Sequence, residues 1–153
     1  MEDVIQLKGS MEMVLLNAYN GEVVERRKID NTIVTAGRKW VLQQIASSDH
    51  VTAQSINYMA IGSDTTAAAT SQSALGGETV RKAIGTFSTA NLTSNPPSWQ
   101  AQTSFATNEG NTTLAEVCLL NSSANGTMLG RAVFTTINKT TSNTLTISYT
   151  VSN

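Results

Sequence analysis

The residues of this chain that could do chemistry are few and lie far apart in the sequence. The only histidine, His50, follows Asp49 in a polar stretch, and the only cysteine, Cys118, lies within an apolar run. A metal site or a catalytic base would need further ligands or a nucleophile at a matching spacing, so an exposed loop is the simpler interpretation of His50. Cys118 has no intrachain disulfide partner, and we expect a small buried side chain rather than a reactive thiol.

Motifs that bind phosphates, nucleotides or metal ions are absent from the sequence. There is no Gly-x-Gly-x-x-Gly or Walker spacing, and Gly76-Gly77 is typical of a turn. A calcium site would need clustered aspartates, but these are scattered as Asp3, Asp30, Asp49 and Asp64. We therefore predict no catalytic residue, no metal ligands and no cofactor, and we expect that the protein is not an enzyme.

One pair of opposite charges has a predictable role. Glu116 and Arg131 lie in the middle of two apolar segments, Thr113–Leu120 and Met128–Phe134. If the loop between the segments closes symmetrically about its centre, the two side chains face each other across an antiparallel pair. A charge in the middle of a buried strand is costly unless it is paired, so we predict a structural salt bridge between Glu116 and Arg131.

The alternation of residues at the C-terminus indicates the fold class. In Asn143–Val151, apolar residues at every second position are separated by threonine or serine, which is typical of a strand with one exposed face. Threonine, serine and asparagine together make up a third of the chain, and β-branched threonine suits the exposed face of a sheet. The sequence therefore predicts a mainly all-β fold.

The remaining patterns complete an antiparallel β-sandwich, jelly-roll-like, of about eight strands with one α-helix. The helix is predicted over about residues 36–47, because Val34, Val41, Leu42 and Ile45 fall on one side, with Trp40 at the margin. Residues 62–77 and 91–98 are predicted to be loops, and Glu78–Phe87 between them is predicted to be one strand. The two apolar segments around Glu116 and Arg131 need cover on their second face, either from the helix or from another subunit.

The chain divides into an N-terminal arm, residues 1–10, and a single sandwich domain, residues 11–153. The arm is either a frayed terminus or a segment that lies on a neighbouring subunit, because Val4, Ile5 and Leu7 are otherwise needlessly apolar. Trp40 is expected to be an anchor in the core or at its rim rather than a binding platform. With Trp99, these residues are the candidate interface: Val4, Ile5, Leu7, Trp40 and Trp99.

The charge balance argues against two classes of partner. Ten basic and eleven acidic residues leave a net charge of −1, and no basic patch suggests binding to nucleic acid. The N-terminus lacks the pattern of a secretion signal, and no apolar run is long enough to span a membrane.

Several segments together resemble small virion structural proteins of tailed bacteriophages, a family often labelled tail-fibre or structural protein. The resemblance covers about Met13 to Val151 and depends on the order of five segments: Asn31–Lys39, Tyr58–Ala67, Ala74–Lys82, Glu116–Asn121 and Met128–Phe134. The chain departs from the family pattern at Cys118-Leu119-Leu120, where a glycine followed by Leu-Phe is expected.

The resemblance implies a multi-copy component of a virus particle, without catalytic residues. We expect a capsid decoration (cement) protein on the outer surface of the virion, in which a homotrimer binds the major capsid protein and stabilises the head through non-covalent contacts. The chain has no long shaft or repeats, which favours the head over a fibre. The alternative is a tail, collar or fibre-associated adaptor or receptor-binding module, with the loops at residues 62–77 and 91–98 as its contact surface.

Overall fold

A computed structural model describes residues 6–46 and 55–153, which form two five-stranded antiparallel sheets and one α-helix. The first sheet has the strand order β2-β1-β10-β7-β6, and the second has the order β3-β9-β8-β4-β5. The elements are β1 (Lys8–Asn17), β2 (Val23–Asp30), β3 (Thr32–Ile33), α1 (Thr35–Ala46), β4 (Tyr58–Gly62), β5 (Glu78–Ala83), β6 (Thr86–Ser88), a 3-10 helix (Ala90–Thr93), β7 (Ser98–Phe105), β8 (Thr113–Leu120), β9 (Met128–Asn138) and β10 (Asn143–Ser152). The predicted antiparallel sandwich with a single α-helix is confirmed.

The described residues contain ten strands rather than eight, chiefly because one predicted strand divides between the sheets. The segment predicted as Glu78–Phe87 breaks after Ala83, so β5 pairs with β4 in the second sheet and β6 pairs with β7 in the first. The backbone N–H of Ile84 still donates to Asn57, at 2.8 Å, whereas that of Gly85 already donates to Gln102 of β7, at 3.0 Å. The chain therefore crosses between sheets within two residues, a change that hydrophobic patterning does not reveal. The short β3 is the other additional strand.

Strand β10 has the alternation that its sequence predicts. Its apolar residues point into the core between the sheets and are almost completely buried: Leu145, Ile147, Tyr149 and Val151. Its hydroxyl residues lie on the other face, where they bond to polar residues of β7, as in the pairs Ser104–Thr146 and Gln102–Ser148, each at 2.9 Å. The outer face of β7 and β10 is thus polar and uncharged, whereas Glu12, Arg26 and Lys28 of β1 and β2 carry the charges of this sheet face.

Strands β8 and β9 are buried on both faces. Leu114, Val117 and Leu119 face the core between the sheets, whereas Cys118 and Leu120 face outward into a second apolar cluster. The sequence predicted cover from the helix or from another subunit. The cover comes from the chain itself, because Val34, Ala36 and Leu75 pack onto this outer cluster, which places the start of α1 and part of the 63–77 loop over it.

Helix α1 lies where it was predicted, but two of its predicted core residues are exposed. Leu42 is 65% exposed and Ile45 is 76% exposed, so the expectation that both face the core is wrong. The rotation of the helix is set by Gly37, where a Cβ atom would collide with the backbone carbonyl of Leu129 in β9. At about 100° per residue, Leu42 points some 140° away from that close contact.

The boundary of the predicted N-terminal arm also needs correction. Residues 8–10 belong to β1 and pair with β10 through Lys8–Ser152, Gly9–Val151 and Ser10–Thr150. Their backbone is thus part of the first sheet. Val4 and Ile5 lie outside the described residues.

Candidate functional site

The predicted ion pair between Glu116 and Arg131 is present and fully buried. Both the Nε and the Nη2 atoms of Arg131 lie 2.8 Å from Oε2 of Glu116, and neither side chain is accessible to solvent. The predicted register was wrong by two residues, since Arg131 lies opposite Cys118 and Glu116 lies opposite Val133. A shift of two keeps both side chains on one face of the sheet, and diagonal neighbours are within reach of a long side chain such as arginine.

The register differs because of the turn and a bulge. Leu120 pairs with Met128, whereas symmetric closure would pair it with Thr127, one residue earlier. An irregularity between Leu119 and Leu120 then adds a second extra residue to β9, because Leu119 pairs with Gly130. The loop contains left-handed residues at its Asn-Gly step, with φ of 54° at Asn125 and 81° at Gly126. Symmetric closure was therefore the part of the prediction that failed.

Glu116 is bonded on the outer face of the second sheet by backbone amides of the 63–77 loop, which contains no helix or strand. Its Oε1 accepts hydrogen bonds from the N–H groups of Gly77, at 2.7 Å, and Asp64, at 3.3 Å. Its Oε2 accepts a bond from the N–H of Gly76, at 3.1 Å. Both carboxylate oxygens are thus occupied, which leaves Glu116 without a lone pair directed at an open site.

Arg131 bonds to the same loop from the other side. Its Nη1 donates to the carbonyl of Thr66 and to Oε1 of Gln72, both at 2.9 Å, while its Nη2 lies 3.1 Å from Oδ2 of Asp64. The pKa of Asp64 is lowered, chiefly by hydrogen bonds from the backbone and hydroxyl of Thr66 and also by the charge of Arg131. We call Glu116, Arg131 and their loop partners the ion clamp, because together they fix the 63–77 loop to the sheet.

A second buried cation holds the loop between β7 and β8. The Nζ atom of Lys139 donates to the carbonyl of Ala106, at 2.7 Å, and to Oδ1 of Asn111, at 2.9 Å. Burial lowers the pKa of Lys139, while the pKa of Glu109 is lowered chiefly by its hydrogen bond from Lys82, at 2.7 Å. Sequence reasoning did not identify Lys139, because the position just after a strand is usually exposed.

An apolar pocket lies at the end of the sandwich where β7 begins and β10 ends. Three of the predicted interface residues, Leu7, Trp40 and Trp99, meet there around a cavity of about 460 Å³. None of its lining residues carries a charge; the others are Val41, Ser55, Ile56, Asn57, Phe87, Thr89, Leu129 and Val151. The remaining interface candidates, Val4 and Ile5, lie outside the described residues.

The aromatic residues of the pocket reach the protein surface. Phe87 is 45% exposed, and its ring centroid lies 6.1 Å from that of Trp99, within the range in which aromatic rings attract each other. The indole N–H of Trp40 is buried and has no hydrogen-bond acceptor among the described residues. Because no lining residue is charged, the pocket suits an apolar group better than a charged ligand.

The other candidate residues form no further site in the described part of the chain. Cys118 is completely buried, and burial raises the pKa of its thiol far above the usual range, so the predicted core role is confirmed. His50 and Asp49 fall outside the described residues. Within residues 6–46 and 55–153, no group of three or more histidine, cysteine, aspartate or glutamate side chains could hold a metal ion.

Comparison of the chain with protein-family models, with curated proteins and with solved structures gave no significant match. No helix within the described residues has the length and hydrophobicity required to span a membrane.

Proposed function

We propose that this chain is a structural protein of a tailed-bacteriophage virion, and specifically a capsid decoration (cement) protein on the outer surface of the head. In this role it binds the major capsid protein and copies of itself, as a homotrimer, and stabilises the shell through non-covalent contacts. The observation that carries the proposal is the uncharged apolar pocket on a rigid sandwich, beside an exposed apolar helix surface.

Rigidity supports the role because a decoration protein must hold one shape under the outward pressure of packaged DNA. Two loops that would otherwise be mobile are bonded to the sheets by fully buried cations, the 63–77 loop by Arg131 and the β7–β8 loop by Lys139. Preorganised surfaces lose little conformational entropy on association, so more of the contact energy contributes to binding.

The surface chemistry supports a protein partner. Uncharged apolar patches rimmed by polar residues are typical of protein interfaces, and tryptophan is enriched among the residues that contribute most to binding. Trp99 and Phe87 form such a patch beside polar Thr89. A standard interface of roughly 1,200 to 2,000 Å² in total would cover the pocket and its surroundings.

The alternative is a tail, collar or fibre-associated adaptor or receptor-binding module. The ion clamp fits this alternative as well, since it presents the 63–77 loop in one conformation, as a recognition loop requires. A carbohydrate ligand on this loop would be detected by glycan-array binding of the isolated protein, and it would shift the proposed partner from the shell to a receptor.

The number of copies per particle tests the proposal. Quantitative mass spectrometry of purified particles, with the major capsid protein as internal reference, should find hundreds of copies of this chain. A few tens at most would favour the tail alternative, and absence from purified particles would contradict both.

A Trp99→Ala variant should show reduced occupancy on particles, whereas Tyr19→Ala, at a fully exposed hairpin tip away from the pocket, should not.

A further inference from the structure

Lys139, the residue that follows β9, is a buried lysine without a counter-charge. It is 1% exposed, yet no carboxylate in residues 6–46 and 55–153 forms an ion pair with it. Its Nζ atom donates instead to two neutral oxygens, the carbonyl of Ala106 and Oδ1 of Asn111. Burial of an unpaired charge is costly and favours the neutral amine, and burial accordingly lowers the pKa of Lys139.

The number of acceptors around Lys139 also suits a neutral amine. An ammonium group has three N–H donors, whereas the described residues offer its Nζ only two acceptors. A neutral amine has two N–H groups, which these acceptors satisfy, and it keeps one lone pair. An amine with a free lone pair is a nucleophile, and lysine acts as one when burial removes its charge.

An amide carbonyl lies directly against this nucleophile. The Nζ atom is 2.9 Å from Oδ1 of Asn111, and a C=O bond is about 1.23 Å long, so Nζ lies no more than about 4.1 Å from Cγ. Reacting atoms that are ready to combine lie about 3–3.5 Å apart, so a shift of roughly 1 Å or less is enough. The amide is held for this approach, because its Nδ2 donates to the carbonyl of Thr107, at 2.7 Å.

A carboxylate that can carry a proton lies in the same loop. Oε2 of Glu109 accepts hydrogen bonds from Lys82 and from the N–H of Ala106. The carbonyl of that same alanine accepts from Lys139, and the charges of Glu109 and Lys139 each alter the pKa of the other group. Oε1 of Glu109 accepts no hydrogen bond from any residue that the structure describes. It is therefore free to accept a proton.

We propose that Lys139 and Asn111 become joined by an amide bond between their side chains, an isopeptide bond that the folded protein forms by itself. The Nζ lone pair attacks Cγ, the bond between Cγ and Nδ2 breaks, and Nδ2 departs as ammonia. Glu109 takes one proton from the attacking nitrogen and returns it to the departing nitrogen, so the step needs no oxidant. Because Asn111 is exposed, the ammonia escapes into solvent.

The bond replaces an unpaired buried amine with a neutral amide. It also links the end of β9 covalently to the β7–β8 loop, which hydrogen bonds from Lys139 otherwise hold. The inference does not depend on the proposed virion role, although a covalent link of this kind would add to the rigidity on which that role relies.

Intact-protein mass spectrometry of the purified full-length chain tests the bond. Wild-type protein, folded and incubated at neutral pH, should be lighter than its sequence by one molecule of ammonia. Lys139→Arg keeps a cation but lacks the amine nucleophile, so it should retain its full mass. The matched control is Lys82→Arg, which changes the other lysine beside Glu109 and should still lose ammonia.

Tryptic peptides locate the bond. Trypsin cleaves after unmodified lysine and arginine, so Asn111 lies in peptide 83–131 and Lys139 ends peptide 132–139. Joined side chains should give a branched species of peptides 83–131 and 132–153, because trypsin does not cleave after an acylated lysine. Glu109→Gln should slow joining by roughly a hundredfold or more, which leaves unjoined chains whose fraction falls during incubation. An unchanged rate would contradict the role given to Glu109.

Two results would overturn the inference. One is folded wild-type protein that keeps its full mass after prolonged incubation, which would show that Lys139 and Asn111 are joined only by a hydrogen bond. The other is a loss of ammonia that persists in Lys139→Arg, as succinimide formation at Asn20-Gly21 or Asn125-Gly126 would give. Neither result would affect the virion role, which the number of copies per particle tests separately.

Discussion

The outer face of the second sheet and the apolar end of the sandwich solve the same problem in opposite ways. On the sheet, β8 and β9 carry buried charges, and the chain's own 63–77 loop supplies a partner for each of them. At the end, α1 and the pocket carry apolar groups that the described residues leave exposed or open. The chain thus covers the outer face of the second sheet when it folds. In the proposed role, the apolar end would be covered only when the protein binds another subunit.

Breaking the ion clamp should produce the largest effect. Arg131→Met leaves Glu116 as a buried charge without its cation, and loss of one partner of a buried pair typically costs about 3–5 kcal/mol of unfolding free energy. Urea unfolding of the purified variant measures this loss. The matched control is Arg26→Met, which removes an exposed ion pair with Glu12 and should cost less than about 1 kcal/mol. Equal losses in the two variants would show that the clamp is not a completed structural unit.

The second largest loss of stability is expected at the contact between Gly37 of α1 and Leu129 of β9, which joins the helix to the second sheet. Gly37→Ala places a methyl group against the backbone of Leu129, and overpacking of this kind costs about 1–3 kcal/mol. Gly85→Ala is the control, since a Cβ there meets only the carbonyl of Gln102 at an ordinary 3.5 Å. Chemical unfolding of both variants should therefore separate them clearly. A neutral Gly37→Ala would mean that this contact does not set the position of α1.

Acid should weaken the 63–77 loop and the β7–β8 loop, which charged side chains hold in place, rather than the apolar end. The pKa of Glu109 lies below its ordinary 4.5 in the folded protein, because Lys82 and the N–H of Ala106 bond to the carboxylate. Its contribution to stability is therefore complete above pH 4.5 and is lost as the pH falls through the lowered pKa. Glu109→Gln should be less stable than wild type at neutral pH and should lose less stability on acidification. Unfolding curves at a series of pH values measure both, and Lys82→Met should reproduce the flatter profile.

Substitutions on the exposed stripe should have the smallest effect on folding. Leu42→Ser and Ile45→Ser should change the unfolding free energy of the monomer by no more than about 0.5 kcal/mol, because the side chains are already in solvent. Unfolding is measured at protein concentrations low enough to keep the chain monomeric. A loss of several kcal/mol in either variant would show that the stripe is part of the core after all.

The sequence predicted those features that depend on neighbours along one strand or on a general energetic cost. The alternation of β10 follows from one buried face, and the pairing of Glu116 with Arg131 follows from the cost of an isolated buried charge. The pairing survived an error of two residues in register because that error preserves the face of the sheet.

What the sequence did not reveal depends on contacts between distant segments. Lys139 is buried because Ala106 and Asn111 fold over it. Both residues lie more than twenty-five positions from Lys139, and an alanine or an asparagine in the sequence does not indicate such a distant contact. Helical periodicity identified an apolar stripe on α1, but the single close contact at Gly37 decides which part of the stripe faces the core. The predicted interface set did include Leu7, Trp40 and Trp99, although nothing in their spacing showed that they share one pocket.

Electron cryomicroscopy of the intact particle that carries this chain tests the central claim most directly. The account predicts many ordered copies on the outer surface of the head, each with Ile45 and Trp99 buried against another subunit and with the 63–77 loop in the conformation described. Copies whose apolar end faces open solvent in the assembled particle would contradict it.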